Sequence, residues 1–159
     1  MTSPNNFDWG ALLGKVLGSS KSDEGILAQL AEADTEIRDV VAAAMAVYNE
    51  LGHGYVVGIY RDALAIECDE RNIPYGRDIP ITVHYRGHDL DSGYTADFVC
   101  CEDILIVVKV VEALDKPDDM ELINHLKATG YRRGLMLNFG LKRLEFRRIV
   151  GPASSGVQE

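Results

Sequence analysis

Asp97 and Lys109 are the only charged side chains inside two otherwise apolar runs, Gly93 to Cys101 and Ile104 to Val111, that flank a Glu102-Asp103 turn. Runs rich in β-branched and aromatic residues on either side of a polar turn predict a hairpin of two buried strands. A charge within such strands costs free energy unless it is paired or coordinates something. This aspartate and this lysine therefore either form an ion pair that fixes the hairpin register or belong to a site. The chemistry open to them is phosphodiester hydrolysis assisted by a divalent ion, in which a carboxylate grips Mg²⁺ and a lysine positions or polarises the nucleophile.

Alternation along a strand puts Leu105, Val107 and Lys109 on one face and Ile106, Val108 and Val110 on the other. Val107 is thus the same-face neighbour of Lys109. A hard cation would want a second oxygen donor there, and valine offers none.

The rest of the chain must position these residues. At 159 residues and 47% hydrophobic content it has the length and composition of one globular domain. No apolar run reaches the length of a membrane span, and no basic stretch followed by an apolar core opens the chain, so a cytoplasmic protein is expected. Cys68, Cys100 and Cys101 make neither a disulfide framework nor a zinc spacing, and His53, His84, His88 and His125 form no cluster with them. The expectation is reduced core cysteines and no resident cofactor.

The net charge of −9 opposes indiscriminate nucleic-acid binding, yet it is unevenly spread. Between Lys127 and Val150 seven basic residues, Lys127, Arg132, Arg133, Lys142, Arg143, Arg147 and Arg148, stand against Glu145 alone, a local +6 that leaves −15 on the remainder. Lys127, Arg132, Arg133, Arg147 and Arg148 are the candidates to face phosphate; the segment could equally dock on the acidic part of another subunit.

Residues 1–34 read as an N-terminal helical arm. Phe7, Trp9, Leu12, Leu13, Val16 and Leu17 have the spacing of a short apolar stripe, and Ser22 can cap a second piece with Ile26, Leu27 and Leu30 on one face. The arm buries these residues either on its own domain or on a neighbour. Residues 35–150 form the main domain. Asp34 or Thr35 caps a helix to Leu51, and after Gly52-His53-Gly54 a second helix runs through Ile59, Tyr60 and Leu64 to about Asn72. Ile79 to Tyr85 alternate as a half-exposed strand, and Gly87 to Ser92 turn into the central hairpin. Lys116-Pro117-Asp118-Asp119 opens a helix whose Met120, Ile123 and Leu126 or Lys127 face inward, and strands from Gly134 to Phe139 and Leu144 to Val150 close the domain. Residues 151–159 read as a loose tail. The fold class is α/β (α+β), a mixed sheet of about five strands flanked by helices.

With these residues in view the chain resembles the GxxExxY family, small prokaryotic proteins with the fold of the PD-(D/E)XK nucleases. The resemblance runs from Thr35 to Val150 and rests on Asn49-Glu50-Leu51-Gly52-His53-Gly54, Tyr60 with Ala63-Leu64, Ala96-Asp97, Lys109 with Val111-Glu112-Ala113-Leu114, and Leu126-Lys127-Ala128-Thr129-Gly130 with Leu137-Asn138-Phe139-Gly140. It implies a site at Asp97 and Lys109. It also marks two lost acids: Val57 stands where the naming motif has glutamate, and Val107 where the acid-x-Lys strand has its acid.

The leading expectation is a catalytically inactive nuclease-fold protein that binds or self-assembles, as a homo-oligomer joined through the N-terminal arm. One alternative is a Mg²⁺- or Mn²⁺-dependent nuclease whose second carboxylate has migrated to the helix, with Asp97 and Glu121 holding the metal and Lys109 beside them. The other is a protein that binds nucleic acid without cleaving it.

Overall fold

In the computed structural model, which describes residues 23–151, a mixed five-stranded sheet is flanked by four helices. Helices α1 (Asp23–Ala33), α2 (Thr35–Leu51) and α3 (Val57–Glu70) come first, followed by strands β1 (Tyr75–Tyr85), β2 (His88–Cys100) and β3 (Ile104–Lys109). Helix α4 (Lys116–Thr129) and strands β4 (Arg133–Asn138) and β5 (Glu145–Val150) complete the order. The strands lie across the sheet in chain order. Neighbours are antiparallel except β3 and β4, which run parallel because α4 makes the crossover between them. This is the fold class the sequence predicts.

Strand alternation splits the core into two layers. Ile104, Ile106 and Val108 of β3 pack with Phe98, Leu135 and Leu137 beneath α2 and α3, whereas Leu105 and Val107 pack with Met136, Ile149 and the apolar side of α4. Ile26 and Leu30 of α1 join the first layer, so this part of the arm packs on its own domain. The Phe7 to Leu17 stretch and the tail from residue 152 lie outside the described residues.

Local chemistry explains the helix ends. Asp34, in extended backbone, accepts from the N–H groups of Glu36 and Ile37 at 3.1 Å and starts α2. Asp115 and Asp118 form a reciprocal capping box at the start of α4, Pro117 fits its first turn, and Gly130 ends it in the left-handed region at φ +80°. One expectation fails on α4: Met120 is exposed, whereas Ile123 and Leu126 face inward as read from the sequence, with Leu122 beside them and Lys127 in solvent.

The β1–β2 hairpin is longer than its apolar pattern suggests. Arg86 and Gly87 both take positive φ and turn the chain in two residues, so His88 to Ser92, expected as a loop, already belong to β2 and face β1. β1 likewise begins at Tyr75 rather than Ile79.

Candidate functional site

β2 and β3 part company at the residues that carry charge. Their ladder ends with Phe98 opposite Ile106, while β3 continues beside β4 as far as Lys109 opposite Asn138. Asp97 sits at the fork. Its Oδ2 accepts the Val108 N–H at 2.7 Å, so a side-chain oxygen takes the place of a ladder carbonyl. Face alternation also breaks here: Ala96 is buried on the α4 side and Phe98 in the opposite layer, two residues apart.

Arg61 of α3 reaches this fork. Its Nε lies 3.1 Å from Asp97 Oδ1, and its terminal nitrogen donates to Asp78 Oδ1. Asp78 is on β1 with φ +54°, a left-handed residue in a strand, which an Asp tolerates better than a branched side chain. Lys109 takes other partners: Nζ donates to Glu121 Oε1 at 2.7 Å and lies 3.3 Å from Asp118 Oδ1, both on α4. The ion pair between Asp97 and Lys109 considered from the sequence does not form, because β2 has already left β3 where the two would meet.

The end of β3 is also held by hydrogen bonds and ring stacking. Phe139 N donates to Lys109 O and Gly54 N to Phe139 O, which ties the start of α3 to the same end of the sheet. Tyr60 reinforces this by donating its hydroxyl to Gly52 O at 2.6 Å and stacking on Phe139 at 4.4 Å. Buried Asn138 accepts from Val111 N at 2.9 Å and donates to Val111 O and to Glu145, while Leu114 N donates to Glu145 Oε1. Gly140 makes room for this crossing: a Cβ there would come within 2.1 Å of Val111 O.

Val57 opens α3 and is exposed, whereas Val107 is buried beneath α4. Arg61 follows Val57 by one helical turn and so shares its face. That spacing was a legible pointer to Arg61, the residue the sequence reading missed. Asp78 and Asp118 were missed as well: Asp78 carries no pattern in the sequence, and Asp118 reads there only as a helix opener.

His125 is buried under the Tyr94 ring, centroids 4.5 Å apart, with Nε2 3.9 Å from Glu121 Oε2. Burial holds its pKa below the ordinary histidine value, against the pull of Glu121. Burial likewise raises the Asp97 carboxyl; the nearby Asp78 and Glu121 add to the rise, and together they outweigh the Val108 N–H and Arg61. Lys109 is raised as well, but for a lysine this favours the charged form: burial alone would lower it, and Glu121 and Asp118 hold it above the usual lysine range.

The basic segment does not form one patch. Arg133 is bound by Asp34 and Glu36 at 3.0 and 2.9 Å and by Asp103, and Arg147 lies 3.4 Å from Asp119. Arg147 and Arg148 are adjacent in β5 and therefore point to opposite faces, opposite Met136 and Leu135 of the two core layers. Lys127 and Arg132 are exposed.

A divalent ion does not fit the donors in place. Asp78, Asp97, Asp118 and Glu121 each already contact a fixed cation, and among the described residues no group of three or more His, Cys, Asp or Glu side chains is arranged to hold a metal. Among the described residues, too, no helix is long and apolar enough to cross a membrane.

The family model described as the PD-(D/E)XK nuclease superfamily matches residues 34–149. A solved crystal structure of SSO0001 is similar at 17% identity and a TM-score of 0.47, covering 80% of this chain and 62% of that one. The chain thus spans under two thirds of the length of SSO0001. Comparison with curated proteins gives no match.

Proposed function

The chain belongs to the PD-(D/E)XK nuclease superfamily, and from that premise we propose that it is a non-hydrolysing member, a GxxExxY-like protein that serves as a binding or self-assembling module. The observation that carries this reading is the internal pairing of every carboxylate at the fork: Arg61 joins Asp97 and Asp78, and Lys109 joins Glu121 and Asp118. A hydrolytic centre in this fold needs oxygen donors free to grip a cation that lowers the pKa of a water and offsets charge on phosphate. Here Val107 and Val57 supply hydrocarbon at two of the expected places, and an arginine has its nitrogen against the remaining aspartate. Assembly through residues 1–34 belongs to the same proposal.

The test is incubation of the full chain with single- and double-stranded DNA and RNA in Mg²⁺ or Mn²⁺, beside light-scattering mass measurement. The reading expects no cleavage that depends on both the metal and Asp97, and a particle heavier than the 17.5 kDa chain.

A second reading has one observation in its favour. Asp97 accepts the Val108 N–H and the next residue, Lys109, donates to Glu121, so the end of β3 links the three residues that a migrated-carboxylate nuclease using Asp97, Glu121 and Lys109 with Mg²⁺ or Mn²⁺ requires. Cleavage that disappears in Asp97→Ala selects it. Binding of nucleic acid without hydrolysis is disfavoured at this fork, where four carboxylates outnumber two cations and repel phosphate.

A further inference from the structure

Helix α3 carries apolar side chains on two sides. Tyr60, Leu64 and Cys68 face the core and are fully buried. Val56, just ahead of the first turn, then Ile59, Ala63 and Ile66 recur at helical spacing along another side. Val56 is 72%, Ile59 40% and Ile66 59% exposed, so this second stripe stands open to solvent. An apolar stripe with that spacing is a seat for another helix.

Charge narrows the choice of occupant. Four carboxylates of α3, Asp62, Glu67, Asp69 and Glu70, stand against Arg61, which is turned to the fork. Arg77 and Arg71 pair with Asp62 and Glu67, which leaves Asp69 and Glu70 as excess negative charge at the end of the helix. Glu70 follows Ile66 by one turn and so continues the stripe. Two α3 stripes laid together would set Glu70 either on Val56 or on its own counterpart, and both arrangements bury a carboxylate without a cation. The stripe therefore fits an apolar helix that brings positive charge.

We propose that residues 7–17 of a second copy of the chain dock on this stripe. That segment lies outside the described residues, but its sequence has the required pattern: Trp9, Leu12, Leu13 and Val16 recur at i, i+3, i+4 and i+7. As a helix it would run about 15 Å, the length of the α3 stripe from Val56 to Ile66. Lys15 and Lys21 stand against Asp8 alone between residues 7 and 22, which complements the acidic end of α3. Gly10 and Gly14 make so short a helix unstable by itself, so it needs a surface to fold on.

The short connection selects a second copy. From Leu17 to Asp23, where α1 begins, the chain reaches at most about 20 Å. α2 packs against both α1 and α3, so two interhelical spacings of about 8–10 Å each consume that reach before the segment can lie along its own α3. The α3 of a neighbouring copy carries no such restriction. This inference rests on the reading of the protein as self-assembling and names the surface that receives the arm.

The test uses the full chain throughout. Light scattering gives the particle mass, and Trp9, the single tryptophan, reports its own burial by its emission maximum. The variant Ile59→Glu/Ile66→Glu changes side chains that are already exposed, so its melting temperature should stay near that of the wild type. The expected result is a wild-type particle heavier than 17.5 kDa, with loss of the larger particle and a red shift of Trp9 emission in the variant. A second measurement co-expresses Leu13→Cys and Ile66→Cys, each in a Cys101→Ser chain, and oxidises the purified protein. It should yield a crosslinked peptide joining position 13 of one chain to position 66 of the other, cleaved by dithiothreitol.

Unchanged mass and emission in the double-glutamate variant would overturn the proposal and leave self-assembly standing. Absence of the crosslink between co-expressed chains, or its formation only within a chain carrying both cysteine changes, would also overturn it. A wild-type particle of 17.5 kDa at every concentration would remove the self-assembling reading together with this inference.

Discussion

At the Ile104 end of β3 a single guanidinium, Arg133, gathers Asp34, Glu36 and Asp103, whereas at the Lys109 end two cations, Arg61 and Lys109, divide Asp78, Asp97, Asp118 and Glu121 between them. The ends differ in sign as well as number. Burial works against ionisation at Asp34, yet the Ile37 and Glu36 N–H groups and Arg133 outweigh it and hold that carboxyl below its ordinary range. At Asp97 burial and neighbouring carboxylates win, and the carboxyl is held above its ordinary range. The charge on Asp34 stabilises the fold; the charge on Asp97 is one that the fold disfavours, although Lys109 and Asp118 near it are both favoured in their charged forms. A protein retains such a residue for a positional or inherited reason rather than for stability.

The largest effect that separates the ends is expected from Val107→Glu. Placing a carboxylate at a buried position without a partner should cost about 3–4 kcal/mol in urea unfolding at neutral pH. Addition of Mn²⁺ should recover part of that loss, because the change restores an oxygen donor on the face of Lys109. No recovery would mean that Val107 does not border the cation position.

Asp34→Ala follows, at about 2–3 kcal/mol, since it removes a helix cap and one of the three carboxylates around Arg133, which keeps Glu36 and Asp103. Its pH dependence has a defined sign. A carboxyl with a lowered folded pKa contributes stability that is present above its unfolded value of 3.8 and is lost as pH falls through the folded one. The wild-type advantage over Asp34→Ala, followed by thermal melts, should therefore shrink below about pH 4; a difference that stays constant down to pH 2 would assign the effect to packing instead.

Arg61→Gln should cost less, about 1–2 kcal/mol, because it leaves Asp97 and Asp78 without their cation while Asp97 keeps the Val108 N–H. The smallest change is expected from Asp97→Asn. The folded pKa of Asp97 is raised, so its ionisation is unfavourable to folding: that stability is present below the unfolded value and is lost as pH rises through the folded one. Removing the charge should thus raise the melting temperature by about 1–3 °C at pH 7 and change nothing near pH 3. A lower melting temperature at pH 7 would show that the Arg61 contact outweighs the burial.

Much of the architecture was legible because local and long-range preferences agree. Asp34 as a cap, the alternating faces of β3 and the Pro117 to Gly130 limits of α4 each follow from residue type at fixed spacing. The fork itself was less legible. Where β2 leaves β3 depends on the side chain of Asp97 replacing a backbone acceptor, and nothing in a linear pattern reports that. The partner choices went the same way: Lys109 turns to α4, and Arg61 of α3 reaches the fork. The basic run from Lys127 to Arg148 looked like one surface because a sequence is linear, but strand alternation and the Asp34 and Asp119 partners disperse it.

Calorimetric titration of the full chain with Mn²⁺ tests the central claim most directly, that internal cations have taken over the carboxylates a metal would use. The account predicts no binding heat in the wild type up to millimolar Mn²⁺ and measurable binding once Arg61→Gln frees Asp78 and Asp97. Submillimolar binding to the wild type that vanishes in Asp97→Ala would contradict it.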